Sequence, residues 1–270
     1  MDYKSVYKPN GVIKSTYDER DYKISKLVKK AIVLPKEYIN PTPLIILDQG
    51  QVGCCVACAG SQAKHIIEYN QTGNNKPFSP MYLYGNRKDD DWQGEGMMPR
   101  EYLQNLKEYG ICHKEDFDGY FDYPIAKEKY KEKKTWYDKL AFPNRISSYY
   151  RLWNYDDIKT AIYTLGSAFI SYDVYNCLYN PDKDGKIKYD TKKRYKSLGG
   201  HQMLAIGWNE YGLIICNSWG DDFGKNGLIN IPYDYECSEC WAMVDNIIEN
   251  EVRAKYKLSF KDKLVALFKK

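Results

Sequence analysis

The sequence predicts an α+β fold in which helices come first and strands follow. Apolar residues recur at helical spacing in three stretches between Cys55 and Leu165, and short apolar runs follow after Gly166. Runs of helices followed by runs of strands are typical of α+β folds, whereas alternation of the two is typical of parallel α/β sheets. The 270 residues are enough for one large domain or for two subdomains with a real core.

The first predicted helix runs from about Cys55 to Asn70. It stops before Gly73, because glycine readily takes the left-handed conformation that ends many helices. Apolar residues that are four, seven and eight positions apart lie on one helical face. These residues are Ala59, Ala63, Ile66 and Ile67.

Two further helices are predicted from the same periodicity. One follows Pro99, because proline is favoured at the first helical position, and ends at Gly110. The other starts near Asp156 and stops at Gly166. Their apolar faces consist of Tyr102, Leu103 and Leu106 in the first helix and of Ile158, Ala161, Ile162 and Leu165 in the second.

Four strands are predicted in the remainder of the chain. Apolar runs occupy about 167–175, 201–208, 212–217 and 228–231. The preceding stretch 123–155 is dense in lysine, tyrosine and tryptophan, and we interpret it as a crossing between two lobes.

The composition is that of an ordinary globular protein. Charged residues make up 28% of the chain and the net charge is +4, which argues against a nucleic-acid-binding protein. No run approaches 18 apolar residues, and the first residues lack the apolar core of a secretory signal, so we expect a cytoplasmic protein. The eight cysteines fit a reducing compartment in which thiols stay free.

The run from Asp48 to Ala59 is the strongest functional signal. It places Gln49 six residues before Cys55, at the predicted start of the first helix. A helix N-terminus carries partial positive charge and unpaired N–H groups, and both favour a thiolate over a thiol. Because the thiolate is the nucleophile, Cys55 is a candidate reactive cysteine.

A base and an orienting group follow at suitable positions. His201 comes 146 residues after Cys55 in the run Gly199-Gly200-His201, and Asn217 comes 16 residues after His201. A cysteine nucleophile needs an adjacent imidazole, and the imidazole needs a third group that fixes its tautomer and orientation. The other two histidines, His65 and His113, lack such a context, which leaves His201 as the candidate base.

Together these motifs resemble the papain family of cysteine peptidases. The matching residues are Gln49, Gly50, Gly53, Cys55, Ala57, Gly200, His201, Asn217, Ser218, Trp219 and Gly220. The Gly-Gly-His run and the segment Tyr17–Tyr22 are similar to the bacterial and phage branch of that family. If the gene belongs to a phage, the expected location is the host cell cytoplasm.

The resemblance implies a papain-like two-lobed fold, with a helical left lobe, a β-barrel-like right lobe and the active-site cleft between them. It implies that Cys55 attacks the scissile carbonyl and that His201, oriented by Asn217, acts as base and acid. Gln49 and the backbone N–H of Cys55 would form the oxyanion hole. Trp219 would cover the bond between His201 and Asn217.

By the same resemblance, four residues are expected to contact substrate. Gly96 and Met97 belong to a glycine-rich strip that would pair with the substrate backbone, since glycine allows close approach. Gly200 and Trp219 flank the candidate base and its orienting group. The expected partner is a peptide or protein substrate, with no nucleic acid and no cofactor, and the expected state is a monomer.

The chain is predicted to have three parts. Residues 1–44 form an N-terminal arm that packs on the body, or a short removable pro-segment. Residues 45–250 form the peptidase domain, with the left lobe at about 45–122 and the right lobe at about 123–250. Residues 251–270 form a basic amphipathic tail that could dock on the body, bind a partner or contact an anionic membrane.

The chain departs from the family pattern near the nucleophile. Val56 replaces the usual aromatic residue, Val52 replaces a cysteine that usually forms a disulfide, and Cys54 replaces a serine. Two other functions therefore stay open: a papain-fold binding protein without turnover, and a cysteine transamidase or peptide ligase.

Other motifs have simpler interpretations. Asn180–Ile187 is similar to part of a calcium loop but lacks the glutamate needed at its end, so we interpret it as a turn. Cys237 and Cys240 form an isolated pair, while zinc needs four ligands. Cys55 and Cys58 have the spacing of a dithiol oxidoreductase but lack its preceding strand. No metal site is predicted.

Overall fold

Helix α1 (Cys55–Thr72) runs through the core of the protein. The computed structural model describes residues 10–19, 21–28, 32–87, 95–117 and 121–245. Every residue of α1 from Cys55 to Ile67 is buried, so this helix has a far wider buried surface than its single apolar stripe predicts. It ends as predicted at Gly73, which has a φ of 72°.

Five more helices are present in the described residues. They are α2 (Pro80–Gly85), α3 (Pro99–Glu108), α4 (Tyr123–Glu132), α5 (Lys134–Ala141) and α6 (Tyr155–Leu165). Helices α3 and α6 lie where the periodicity predicts them. Helix α2 has six residues, all buried, and therefore shows no amphipathic pattern. Helices α4 and α5 lie within the stretch interpreted as a crossing, and α4 packs on α2 where Gly85 approaches Ala126.

An antiparallel sheet forms the second half of the fold. Its strands are β1 (Tyr38–Ile39), β2 (Ser148–Arg151), β3 (Ala168–Asp173), β4 (Gly200–Trp208), β5 (Gly212–Cys216), β6 (Leu228–Pro232) and β7 (Glu239–Val244). The strand order is β2-β7-β3-β4-β5-β6, and β1 pairs with the end of β4. The α+β expectation is confirmed. The barrel-like half is an open sheet, whose outer strands β2 and β6 do not pair with each other in the described part of the chain.

Strand β4 fixes the geometry of the site. It lies between β3 and β5, with Tyr172 opposite His201 and Cys216 opposite Leu204. Helix α1 packs across β4, and the backbone N–H of Gln202, near the start of β4, points at the thiol of Cys55 at the start of α1. Strand β7 was not predicted, because all six of its residues are buried and its sequence lacks alternation.

The described part of the N-terminal segment contacts the body at several points. Asp21 pairs with Arg100 at the start of α3, and the backbone N–H of Arg151 donates to the carbonyl of Tyr22. Within the described residues, no helix is long and apolar enough to cross a membrane. The predicted amphipathic tail, 251–270, lies outside the described residues.

Candidate active site

Cys55 is the first residue of α1 and is fully buried. The preceding Cys54 makes no side-chain cap, and the backbone N–H of Val56 points at the Cys55 thiol, where it favours the thiolate. The position is the one that the sequence predicts for a reactive cysteine. The partial positive charge of the helix N-terminus acts there in favour of a thiolate.

His201 and Asn217 are brought together by adjacent strands. His201 is the second residue of β4, and Asn217 follows the last residue of β5. Because β4 and β5 are antiparallel neighbours, the start of one meets the end of the other. His201 Nε2 and Asn217 Oδ1 lie 2.8 Å apart and are hydrogen-bonded. Because Nε2 is used in this bond, Nδ1 is the ring nitrogen of His201 that stays available for other contacts.

Aromatic rings cover the bond between His201 and Asn217. The indole of Trp219 stacks on the imidazole of His201 with ring centroids 4.6 Å apart. The ring of Tyr179 also stacks on Trp219, with ring centroids 5.1 Å apart and an interplanar angle of 4°. The sequence predicted the role of Trp219 but gave no signal for Tyr179, which lies in a short 3-10 helix, Asn176–Tyr179.

Gln49 is fully buried and held from two sides. Its Oε1 accepts a hydrogen bond of 2.7 Å from the hydroxyl of Ser218, and its Nε2 donates to the carbonyl of Val52 at 2.9 Å. The amide is thereby oriented with its nitrogen toward the loop that leads to Cys55. Ser218 belonged to the matching sequence blocks, but its contact with Gln49 was not predicted.

Residues 10–13 of the N-terminal segment lie across this region. The N–H of Val12 donates to the carbonyl of Gly200 at 3.0 Å, and the N–H of Ile13 donates to the carbonyl of Met97 at 3.2 Å. The N–H of Met97 donates in turn to the carbonyl of Gly11 at 2.8 Å. We call the groove between Met97 and Gly200 the cleft. It is occupied by an extended stretch of the protein's own chain.

Gly11 lies against the loop before the nucleophile. A Cβ atom at this position would lie 1.8 Å from the carbonyl oxygen of Gly53 and 2.5 Å from its carbon. Only glycine allows the two backbones to approach so closely. The N–H of Gly11 also points at Cys55, where it favours the thiolate. The segment therefore covers the nucleophile directly.

Burial sets the ionisation of the two central groups. It raises the pKa of the Cys55 thiol to about 12, although the N–H groups of Gln202 and Gly11 act in the opposite direction. Burial lowers the pKa of His201 to about 4, against the effect of the bond to Asn217. Among the described residues, Nδ1 of His201 has no hydrogen-bond partner. At neutral pH the covered site therefore contains a neutral thiol and a neutral imidazole.

A network of polar groups joins the glycine-rich strip that contains Gly96 and Met97 to the loop that precedes Cys55. The Glu95 carboxylate accepts hydrogen bonds from the N–H of Gly53 at 2.7 Å and from the hydroxyl of Tyr84 at 2.6 Å. The Tyr84 hydroxyl accepts from the N–H of Gly96 at 3.1 Å, and Arg87 donates to the Gly96 carbonyl. These contacts fix the strip that contains Gly96 to the loop before Cys55, and the sequence did not predict them.

The described residues offer no obvious metal site. They contain no group of three or more histidine, cysteine and acidic side chains placed to hold an ion. All eight cysteines are free of disulfides, and the sulfur atoms of Cys54 and Cys58 lie 3.7 Å apart. The carboxylate of Asp182 accepts bonds from the N–H groups of Asp184 and Lys186, as expected for a turn.

Comparison with known proteins gives a consistent assignment. The model of the papain family of cysteine proteases matches residues 42–247. A peptidase C1-like protein of Acanthamoeba polyphaga mimivirus is 27% identical over 274 residues, which cover 88% of this chain and 86% of the viral protein. A cathepsin B-like cysteine proteinase 3 of Caenorhabditis elegans is 39% identical over 79 residues, which cover 28% of this chain and 20% of that protein.

Solved structures share the fold. Xylellain, a cysteine protease from Xylella fastidiosa, superposes with a TM-score of 0.76 at 22% identity. The superposition covers 89% of this chain and 97% of the xylellain chain. Digestive procathepsin L 3 from Tenebrio molitor superposes with a TM-score of 0.67 at 17% identity. That superposition covers 88% of this chain and 76% of the procathepsin chain. At these identities the likeness establishes the architecture.

Proposed function

The chain belongs to the papain family of cysteine proteases, and on this basis we propose that it is a cysteine endopeptidase whose nucleophile is Cys55. The observation that carries the proposal is the pair formed by His201 and Asn217, bonded at 2.8 Å beneath the Trp219 ring. The buried thiol at the N-terminus of α1 supports it, because that position favours a thiolate once water enters.

The proposed reaction passes through a thioester. The Cys55 sulfur forms a bond to the scissile carbonyl carbon, the carbon–nitrogen bond breaks, and His201 gives its proton to the leaving amine. Water then hydrolyses the thioester, with His201 as the base. The side-chain N–H of Gln49 and the backbone N–H of Cys55 would stabilise the oxyanion, a contribution of roughly 3–4 kcal/mol per donor in comparable enzymes.

Substrate would bind as an extended strand. The N–H and carbonyl of Met97 and the carbonyl of Gly200 are the groups that pair with residues 11–13, and a substrate backbone would use the same groups. Gly96 leaves room for close approach, since a Cβ there would meet the Gly11 carbonyl oxygen at 2.9 Å. Backbone pairing of this kind suits internal segments of a polypeptide.

The N-terminal segment would act as an inhibitor of this reaction. Substrate and residues 10–13 need the same backbone groups of the cleft, so they exclude each other. We infer that the described chain is in a latent state and that the segment must leave before catalysis, by cleavage or by displacement. The eight unpaired thiols further favour a reducing compartment such as the cytoplasm.

The test is the intact mass after treatment with a peptide-like epoxide in reductant. The comparison uses Gly11→Ala, which we expect to open the cleft, with and without Cys55→Ala. We expect one adduct when Cys55 is present and none when it is replaced, followed by turnover in a peptide-library screen. An adduct without turnover would favour a binding protein, and products joined to an added amine would favour a transamidase. No adduct on the folded Gly11→Ala variant would contradict the proposal.

A further inference from the structure

The loop between the 3-10 helix Asn176–Tyr179 and β4 contains a concentrated positive charge. Four cations occupy five consecutive positions, which we call the basic turn, residues 192–196. They are Lys192, Lys193, Arg194 and Lys196. All four side chains belong to exposed residues, and no carboxylate of the described residues lies within ion-pairing distance of them. The one acid next to them in sequence is Asp190, whose carboxylate accepts a bond from the N–H of Lys192 at 3.0 Å.

Stacked tyrosines fix the conformation of the basic turn. Tyr195, at its centre, stacks on Tyr175 with centroids 5.2 Å apart and on Tyr189 at 5.0 Å. Tyr189 stacks in turn on Tyr235 at 4.6 Å, and the Tyr235 hydroxyl donates to the carbonyl of Asp173 at the end of β3. The Tyr195 hydroxyl also accepts a bond from the N–H of Asp190. The cations are therefore presented from an ordered surface, which lowers the entropic cost of binding a partner.

The basic turn lies beside one end of the cleft. The carbonyl of Leu198, two residues after Lys196, accepts a bond of 2.9 Å from the Asn10 side chain. At the other end of the loop, the Tyr179 hydroxyl accepts from the same side chain. Asn10 immediately precedes Gly11, which covers Cys55. A polypeptide that follows the path of residues 10–13 therefore leaves the cleft against this loop, within two residues of Lys196.

We propose that the basic turn is an exosite that binds an acidic segment of the polypeptide substrate, next to the segment held in the cleft. This inference rests on the proposed peptidase function. Several fixed cations beside a cleft attract an acidic chain over distances near the Debye length and raise its local concentration. The catalytic groups then act on the adjoining extended segment, so sequence specificity has a contribution from outside the cleft.

The first experiment measures binding without turnover. Fluorescence anisotropy follows a fluorescein-labelled hexaglutamate peptide added to the full-length Cys55→Ala protein at about 0.02 M and about 0.2 M salt. The test variant adds Lys192→Glu, Lys193→Glu and Arg194→Glu. The matched control adds Lys114→Glu, Lys133→Glu and Lys139→Glu, which change the net charge equally at exposed positions of the helical half. Circular dichroism verifies that each variant is folded.

We expect the test variant to weaken hexaglutamate binding by about tenfold or more at low salt, and the control to weaken it by less than about threefold. We also expect affinity to fall as salt rises. Equal losses in both variants would show an effect of net charge and would overturn the exosite. Absence of binding to the parent would overturn it too. Tighter binding of a single-stranded RNA oligonucleotide than of hexaglutamate would replace it with nucleic-acid recognition.

The second experiment measures kcat/KM in the Gly11→Ala background. Four substrates share the segment that occupies the cleft. Two have a hexaglutamate extension, at the N-terminal or the C-terminal end, and two have a glycine–serine extension at the same ends. We expect the test variant to lower kcat/KM for one glutamate-extended substrate and to leave the others within about twofold. If the test variant retained the preference of the parent for the glutamate-extended substrate, the result would contradict the exosite. Absence of turnover with every substrate would contradict the peptidase proposal, and the anisotropy result would stand independently.

Discussion

Replacement of Gly11 by alanine should open the cleft. The added Cβ would lie 1.8 Å from the Gly53 carbonyl oxygen and 2.5 Å from its carbon. Both atoms belong to backbone that leads directly into α1, so they have little freedom to move. The variant chain can relieve the overlap only by withdrawing residues 10–13 from the cleft.

The magnitude follows from the contacts that are lost. Three backbone hydrogen bonds join residues 11–13 to Met97 and Gly200. At about 0.5–1.5 kcal/mol each, they contribute about 1.5–4.5 kcal/mol to the covered state. The exposed pair of Lys14 and Asp173 adds little. Since about 1.4 kcal/mol corresponds to a factor of ten, the open population should rise by roughly tenfold to a thousandfold.

The assay is the rate at which a small peptide-like epoxide alkylates Cys55, followed by intact mass in reductant. We expect the rate for Gly11→Ala to exceed that of the parent by at least about tenfold. Gly73→Ala is the control for a glycine-to-alanine change away from the cleft, because an added Cβ at Gly73 meets nothing within 4 Å and any strain from its φ of 72° falls at the far end of α1. It should alkylate at the rate of the parent. Equal rates for Gly11→Ala and the parent would refute the conclusion that residues 10–13 cover the nucleophile.

Three further predictions concern ionisation and positioning. In the parent, the alkylation rate should rise with pH through neutrality and beyond, because the covered Cys55 thiol has a pKa of about 12 and loses its proton only as the pH approaches that value. In Gly11→Ala, the dependence of the alkylation rate on pH should shift to lower pH. In the open background, Ser218→Ala should lower kcat about tenfold with little change in KM, because the hydrogen bond that orients the buried Gln49 amide is lost, and Ser218→Thr should retain most activity. Glu95→Ala should lower kcat/KM by about tenfold, because Gly53 and Tyr84 lose a charged acceptor, whereas Glu95→Gln should recover part of the loss and Glu115→Ala, which removes an equal charge from an exposed pair, should have no effect. Unchanged kcat in Ser218→Ala would contradict the role of Ser218. Equal kcat/KM values for Glu95→Ala and Glu115→Ala would contradict the role of Glu95.

The groups at the site could be predicted from sequence because each depends on a short local motif. Gln49 and Cys55 are six residues apart, and His201 and Asn217 lie at the ends of two strands with clear apolar runs. A local motif fixes residue types, and the fold brings the motifs together. The ionisation of Cys55 could not be predicted this way, because it depends on what covers the thiol.

The occupation of the cleft left almost no signal in the sequence. Residues 11–13 contact Met97 and Gly200 through backbone atoms, which every residue type possesses. Only Gly11 has a side-chain requirement, and a single glycine in a polar segment is not distinctive. Strand β7 escaped prediction for a different reason, since burial of both faces removes the alternation that marks a strand.

Two opposing effects determine the state of Cys55. The N-terminus of α1 and the N–H groups of Gln202 and Gly11 favour the thiolate, while burial favours the thiol and is the larger effect in the described arrangement. The helix, Gln202 and the bond between His201 and Asn217 belong to the body and stay in place when residues 10–13 leave. Burial by the segment does not stay, and water then reaches both the thiol and the imidazole. The Gly11 N–H leaves with the segment, so the net change in the pKa of Cys55 depends on whether the lost burial outweighs the lost hydrogen bond. If the proposed peptidase activity is correct, we expect displacement of the segment to move the pKa of Cys55 down and that of His201 up, toward the thiolate–imidazolium pair.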